Sequence, residues 1–256
     1  EKITKKKKFK TISEYWTKKT AEKILKKSGK FDIVYSANTI THIKDLDKVF
    51  KSIKLVLNKK GIIIIEDPSL LDCLKKNSYD QFYNEHIYIF SLLSLKYLLK
   101  KHNLEVFNIE KLSTHGGSLR YYIKKISNNK FKINKKVNKH LKEEISFGLN
   151  KYLTYMKFKK QVEQSKAKLI KIFSKLKNKN KKIIGYGATA KVNTVLNYCK
   201  IKSETIDYFL DTTPSKIGKF MPGSHLYVQK YNKALSNQAD YVFLGAWNFK
   251  EEIFKK

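Results

Sequence analysis

Arginine is almost missing from this chain: of its 55 basic residues, Arg120 alone is an arginine. With only 22 acidic residues the formal charge is +33, and such a surplus ordinarily points to a polyanion, because neutralising phosphates releases counterions. Phosphate and base readers, however, rely heavily on the guanidinium fork. The lysines are also spread over every segment beside Ile and Asn, so the charge reads as a compositional drift, and nucleic acid is not an expected partner. Cysteine is nearly absent too. Cys73 and Cys199 lie far apart without His or Cys neighbours at ligand spacing, which excludes a zinc module or a disulfide framework and leaves two inert, buried thiols. No stretch approaches the roughly 20 apolar residues of a membrane-spanning helix, and the lysine-rich segment Glu1 to Lys10 has no apolar core of a secretory signal. No membrane partner is therefore expected, and the expected location is the cytoplasm. A fixed-period repeat is lacking as well.

What is present is 41% hydrophobic residues over 256 positions, enough for one large or two modest domains. From Phe31 the pattern reads strand, turn, helix, strand: FDIVYSAN, then THIKDLDKVFKSIKLVL with Ile43, Leu46, Phe50, Ile53 and Leu57 at helical spacing, then GIIIIED. A continuous apolar run flanked by Gly and Asp-Pro suits a parallel strand buried on both faces, so the unit is βαβ. Ser91 to Leu104 reads as a helix capped by Ser91, followed by EVFNIEKL and SLRYYIKK around the turn THGG, an antiparallel hairpin. Residues 127–180 are rich in Lys and Asn, lack proline, and show helical periodicity from Lys159 to Leu176: a linker passing into a long helix. The remainder repeats the α/β grammar with KKIIGYGATAKVNTVLNYC, TIDYFLD, ADYVFLGAW and a last helix NFKEEIFKK. The expected domains are 1–126, 127–180 as connector, and 181–256.

Three places concentrate chemistry. In YDQFYNEHIYIFS, Tyr83, Glu85 and His86 gather a general base, a carboxylate able to orient it, and a hydroxyl able to donate to an oxyanion; an ordinary polar surface loop has the same composition. His42 follows the parallel strand expected of FDIVYSAN, at the edge where α/β sheets place ligands. THGGSLR sets Gly116 and Gly117 beside His115, Ser118 and Arg120; paired glycines allow positive φ and close approach to a ligand, or simply a hairpin turn. A surviving arginine in so lysine-rich a chain suggests a need for planar hydrogen bonding. Finally, Gly185-Tyr186-Gly187-Ala188-Thr189-Ala190 lies between strand and helix, with Asp211 ending the next strand. This offers a helix N-terminus to an anion, with Lys191 as an added charge, or a turn that packing alone requires. The lobe is short for a whole dinucleotide, which favours a diphosphate.

Taken in order, these segments resemble the sugar C-methyltransferase family, which methylates a carbon beside the keto group of dTDP-linked deoxysugars. The family's Tyr-His-Glu-His before an aromatic-Phe-Ser segment reads here Tyr83-Asn84-Glu85-His86, then Tyr88, Phe90 and Ser91, with Asn84 the departure. Ala37, Asn38 and His42 match Ala-Asn-x-x-x-His, and His115 to Arg120 match HGGSLR. Gly185 to Thr194 match Gly-Tyr-Gly-Ala-x-Ala-Lys-x-Asn-Thr, and Asn197-Tyr198, Asp211, Pro214, Lys216, Gly218, Pro222-Gly223 and Ala246-Trp247-Asn248-Phe249 fall into place.

The resemblance implies the later strands of a class I SAM-methyltransferase Rossmann-like sheet followed by a second Rossmann-like α/β domain. It also implies a methyl transfer from S-adenosyl-L-methionine to the carbon alpha to the ketone of a nucleotide-linked keto-deoxysugar, through an enolate. His86 would be the base, with Glu85 and Tyr83 positioning it and the substrate. His42 would sit near the sugar and methyl donor, and Ala37 and Asn38 would line the cofactor pocket. His115, Gly116, Gly117, Ser118 and Arg120, with Gly185, Tyr186, Gly187, Lys191 and Asn193, would hold the nucleotide-sugar. The family's cysteine-rich zinc module and glycine-rich SAM loop do not precede Phe31, so the expectation is an N-terminally truncated fragment, inactive alone, with no zinc site. Two alternatives stand beside it: an NAD-dependent oxidoreductase, motivated by Gly185-x-Gly187-x-x-Ala190 and Asp211, and a non-enzymatic nucleotide-sugar binder.

Overall fold

The computed structural model describes residues 4, 6, 7 and 9–255. The first residues of the expected 1–126 domain, and the final Lys256 of the expected last helix, lie outside the described residues. The chain forms two compact units, each assembled from separated pieces. The first takes the residues up to Ser69 together with Ile87–Leu112 and Ser118–Ser146; the second takes Leu70–His86, Ser113–Gly117 and everything from Phe147.

In the first unit, helix α1 (Lys18–Ser28) is capped by Thr17, whose hydroxyl accepts from Thr20 N–H. Strand β1 (Phe31–Ala37) leads through a 3₁₀ turn, Ile40–His42, into helix α2 (Leu46–Val56) and strand β2 (Leu57–Pro68). Helix α2 begins later than its periodicity suggests, because Asp45 supplies the cap by accepting from Lys48 N–H. Thr41 meanwhile turns inward to donate to Asp67 at 3.0 Å. The parallel pairing of β1 with β2 (Val34 beside Ile63, Ala37 beside Glu66) completes the expected βαβ unit.

In the second unit, helix α3 (Leu70–Lys75) follows β2 along the chain. Back in the first, Ser91 caps helix α4 (Leu92–Lys100), which stops four residues short of the expected end at a turn where Asn103 takes φ +53°. Strands β3 (Leu104–Leu112) and β4 (Ser118–Lys125) then pair antiparallel, as the sequence implies, and give the sheet order β1-β2-β4-β3.

Phe50 and Ile53 of α2, Leu95 and Leu99 of α4, and Ile63 and Ile65 of β2 share one core. Burial of β2 on both faces is only half met. Ile63 and Ile65 are fully buried, whereas Ile62 and Ile64 are not both closed off, and β1 leaves Ile33 and Tyr35 57% and 58% exposed. Helix α5 (Lys135–Phe147) contributes Glu144, fully buried, whose two oxygens accept the main-chain N–H groups of Leu92 and Leu93 at the start of α4.

The second unit contains the long helix read from the sequence, α6 (Tyr152–Lys177). Strand β5 (Ile183–Tyr186), helix α7 (Ala190–Cys199), strands β6 (Phe209–Asp211) and β7 (Val228–Lys230), helix α8 (Lys233–Asn237), strand β8 (Tyr241–Leu244) and helix α9 (Lys250–Ile253) follow. All pairings in this sheet are parallel, in the order β7-β6-β5-β8, so chain order reverses between β5 and β8. That is the crossing of a mononucleotide-binding half of a doubly wound fold. Ile183, Phe209, Leu196 and Val192 fill its core, with Phe173 of α6 packed among them.

Candidate active site

In the first unit the expected residues gather at the carboxyl ends of β1 and β2. Ala37 pairs with Glu66, and Asn38 follows with φ +49°, its N–H donating to Glu66 at 2.8 Å and its side-chain oxygen buried without a hydrogen-bond partner. A left-handed asparagine at a strand end costs little, because its short amide tolerates that region. His42 ends the turn that follows, half-buried. Asp67, completely buried on the opposite face of β2 from Glu66, is pushed up from 3.8 to about 7 by burial, with Thr41's hydrogen bond opposing and Glu66's charge adding.

Arg120 answers the question its survival raised. Its Nε and Nη2 both reach Glu66 Oε2, at 3.1 and 2.9 Å, and its Nη1 reaches Glu110 Oε2 at 3.1 Å. Tyr122 donates to the same Glu110 oxygen at 2.9 Å. The guanidinium thus bridges β2, β4 and β3 with three separate N–H donors fixed in one plane. Ser118 is buried at the start of β4, opposite Pro68.

In the second unit, Tyr83 and His86 form a couple. The phenol oxygen lies 2.8 Å from His86 Nε2, the ring centroids are 4.0 Å apart with the planes tilted by 35°, and His86 Nδ1 lies 2.8 Å from the carbonyl of Gln81. Burial raises the Tyr83 pKa, and the charges of Glu85 and Asp80 raise it further, so the phenol keeps its proton at neutral pH. Glu85 and Asn84 are exposed.

The turn Thr114–Gly116 belongs to this unit as well. Three consecutive residues take positive φ: His115 (+54°), Gly116 (+85°) and Gly117 (+139°). A Cβ at Gly116 would lie 2.5 Å from the Trp247 ring, and one at Gly117 would lie 2.6 Å from Asp72 Cβ, so both glycines are demanded by packing as well as by conformation. The carbonyls of this turn are clamped. His115 accepts from Gln81 Nε2 and from Lys191 Nζ at 3.3 Å, and Gly116 accepts from Lys76 Nζ. Lys191, buried at 6% exposure, lies over the Trp247 ring. Burial lowers its pKa, and the nearby Asp80 and Cys73 oppose that effect. Asp80, also buried, accepts from Trp247 Nε1 at 2.6 Å.

The glycine turn after β5 is equally closed. Gly187 takes φ +84°, where a Cβ would meet Ala246 at 2.6 Å. Asp211 spends one oxygen on Ala188 N–H and the other on Thr213 N–H, each at 2.8 Å, with Lys216 Nζ at 3.5 Å. Although burial acts against it, these bonds and the Lys216 charge hold the carboxyl below its usual range. Two cavities flank the turn. One of about 320 Å³ is lined by Tyr186, Gly187, Thr189 and Lys216. The other, about 280 Å³, is lined by Thr189, Asn193, Lys216 and Lys219 at the start of α7. Gly185 is buried against the Phe209 ring.

Sequence reasoning missed Asp67, Asp80, Gln81 and Glu66. Only Trp247 carried a signal, through the Ala-Trp-Asn-Phe match, and none pointed to its bond with Asp80. Among the described residues no group of three or more His, Cys, Asp or Glu is arranged to hold a metal ion.

Fold and site together define an α/β protein whose candidate groups follow the carboxyl ends of parallel strands or cluster around a histidine-tyrosine couple. The chain belongs to the C-methyltransferase family: residues 113–256 match the C-methyltransferase C-terminal domain, and residues 7–109 match a methyltransferase domain. It is 30% identical to the C-methyltransferase NovU of Streptomyces niveus over 243 residues, which is 95% of this chain but 58% of the relative's length. Among solved structures, a SAM-dependent methyltransferase from Anabaena variabilis aligns over 43% of this chain and 55% of its own, at 16% identity and a TM-score of 0.31. The magnesium protoporphyrin IX methyltransferase of Synechocystis, solved with bound SAH, aligns over 37% and 44%, at 13% identity and a TM-score of 0.29.

Proposed function

We propose that this chain carries the sugar-handling and proton-abstracting parts of a SAM-dependent C-methyltransferase whose substrate is a nucleotide-linked keto-deoxysugar of the dTDP type. The Tyr83–His86 couple is the observation that carries this reading. A carbonyl oxygen only accepts, so His86 Nδ1 donates to Gln81 and Nε2 presents the lone pair on which the Tyr83 hydroxyl rests. A neutral imidazole held in one tautomer is suited to remove the weakly acidic proton alpha to a ketone. The phenol, kept protonated, is suited to turn from Nε2 to the ketone oxygen as that oxygen gains charge. Glu85, exposed two residues beyond Tyr83, supplies a charge that favours the imidazolium once formed.

S-adenosyl-L-methionine, when bound, supplies the electrophilic methyl group. The unpartnered oxygen of Asn38 fits a polar ligand at the end of β1, and Ala37, Asn38 and His42 are the residues assigned to that side. The nucleotide diphosphate is assigned to the start of α7, where Asn193, Lys216 and Lys219 line the smaller cavity beside a helix N-terminus, together with His115, Gly116 and Gly117 of the same unit. Lys191 serves through the turn it holds, since its ammonium is turned inward. An NAD role is disfavoured because the Asp211 carboxylate, which such a site needs for a ribose, is engaged by Ala188 and Thr213.

The test separates proton removal from methyl transfer. With a dTDP-linked keto-deoxysugar in D₂O and no methyl donor, the protein is expected to exchange the proton alpha to the ketone, read by NMR. His86→Asn is expected to slow that exchange by about 10²–10⁴ while nucleotide-sugar binding, measured by calorimetry, is kept. Near-normal exchange in His86→Asn removes His86 as base.

A further inference from the structure

Gln81 ends the 3₁₀ turn Tyr79–Gln81 and is 2% exposed. Its two polar ends act on two different parts of the second unit. Its main-chain carbonyl takes the proton of His86 Nδ1 at 2.8 Å, and its side-chain Nε2 donates to the carbonyl of His115 in the left-handed turn. The direction of a carbonyl follows from the plane of its peptide, and a buried side chain tied at its far end restrains the backbone to which it belongs. The N–H of the same 81–82 peptide, on Phe82, donates to the Tyr79 carbonyl at 3.1 Å, so the side-chain tie acts beside that backbone bond in aiming the acceptor of His86 Nδ1.

Resting on the reading of His86 as the base, we propose that Gln81 is a positioning residue. It sets the Nδ1–H tautomer of His86 through its carbonyl, and it ties that setting to the seating of the Thr114–Gly117 turn through its amide. The turn and the base then respond together: a substrate that presses on the turn adjusts the nitrogen that takes its proton. Lys191 reaches the same His115 carbonyl from α7, so it holds the turn by a route separate from the Gln81 amide. This separation distinguishes a positioning role from general support.

Long-range ¹H–¹⁵N correlation of the imidazoles in the ¹⁵N-histidine-labelled chain reads the tautomer directly, without substrate or methyl donor. In the wild type, neutral His86 is expected as the Nδ1–H form. Gln81→Met keeps the carbonyl and the volume but removes the amide, and is expected to lower the ratio of Nδ1–H to Nε2–H about tenfold. Lys191→Met is expected to leave that ratio unchanged. An Nε2–H tautomer in the wild type overturns the proposal without any variant. So does an unchanged ratio in Gln81→Met, or an equal loss in both variants, which would mean that the turn is merely supported. If Gln81→Met does not fold, Gln81→Glu, which keeps the length and removes the donor, takes its place with the same expectations. The deuterium exchange described above supplies the functional arm: Gln81→Met is expected to lower its maximal rate about tenfold or more with KM held within about twofold. Exchange that survives in His86→Asn defeats the parent reading and leaves the tautomer result standing by itself.

Discussion

The two units differ in how much of their assembly rests on an already paired sheet and how much on directional bonds between distant segments. In the first, a sheet of four strands is closed by apolar contacts; Glu66, Arg120, Glu110 and Tyr122 run across strands already paired by the ladder, and the buried Asp67 and Glu144 are bonded to Thr41 and to the α4 amides. In the second, two short segments distant in sequence, 70–86 and 113–117, join a parallel sheet, and much of what fastens them is directional. Asp80 to Trp247, Gln81 and Lys191 to His115, and Lys76 to Gly116 are the polar fastenings, helped by ring contacts of Tyr79 with Tyr198 and Phe82 with Phe158. Apolar packing tolerates small shifts, whereas a few buried hydrogen bonds fix a segment to within tenths of an ångström and are lost with one atom. The segments that carry the candidate base and the glycine turn are held in the second manner.

The sharpest way to break this comparison is Asp80→Ala. It strips a half-buried indole N–H of its acceptor and the buried Lys191 of its nearby counter-charge, and is expected to cost about 3 kcal/mol in denaturant unfolding. Amide exchange should accelerate in 70–86 and 113–117 and hold in β1–β4; an equal loss in both places would erase the distinction.

A smaller effect is expected from Asp67→Asn in the first unit. The folded carboxyl sits at about 7 against an ordinary 3.8, so the folded state holds a proton that the unfolded chain releases. The wild type is therefore expected to lose stability as pH rises from about 4 to about 7, with a ceiling of about 4 kcal/mol and a realised loss nearer 2. Asp67→Asn, which can still accept from Thr41, is expected to flatten that window when unfolding is followed at several pH values.

Arg120→Lys is expected to have the smallest effect, about 1 kcal/mol by the same measurement, because its network is partly exposed and lies on strands already paired. A cost as large as that of Asp80→Ala would mean that the surface network organises the first sheet.

The sequence disclosed what local pattern controls. The βαβ unit, the β3–β4 hairpin, helix α6 and the strand-glycine-helix opening of the second sheet all follow from periodicity and turn residues, and the structure shows each of them. Boundaries moved where a side chain chose a partner far away, as Thr41 did with Asp67. Of the site, Tyr83 and His86 were legible because they lie three residues apart and do meet. That segments 70–86 and 113–117 pack with residues beyond 147 was not legible, since their fastenings span up to 167 positions and have no period. Gln81 was hidden for a related reason: half of its action is through a main-chain carbonyl, which every residue possesses.

Strand β1 has one consequence for handling the protein. It pairs only with β2 among the described strands and shows Phe31, Ile33 and Tyr35 to solvent, so one rim of the sheet offers unused amides beside apolar side chains. The surplus of 33 positive charges is expected to oppose pairing of that rim with a second copy, a repulsion that reaches about 8 Å at physiological ionic strength and about 3 Å in 1 M salt. Dispersal of the chain is thus expected to depend on dilute electrolyte. Added salt, which rescues many proteins from sticking, is here expected to bring rim to rim, with light scattering rising as sodium chloride is raised and falling again on dilution.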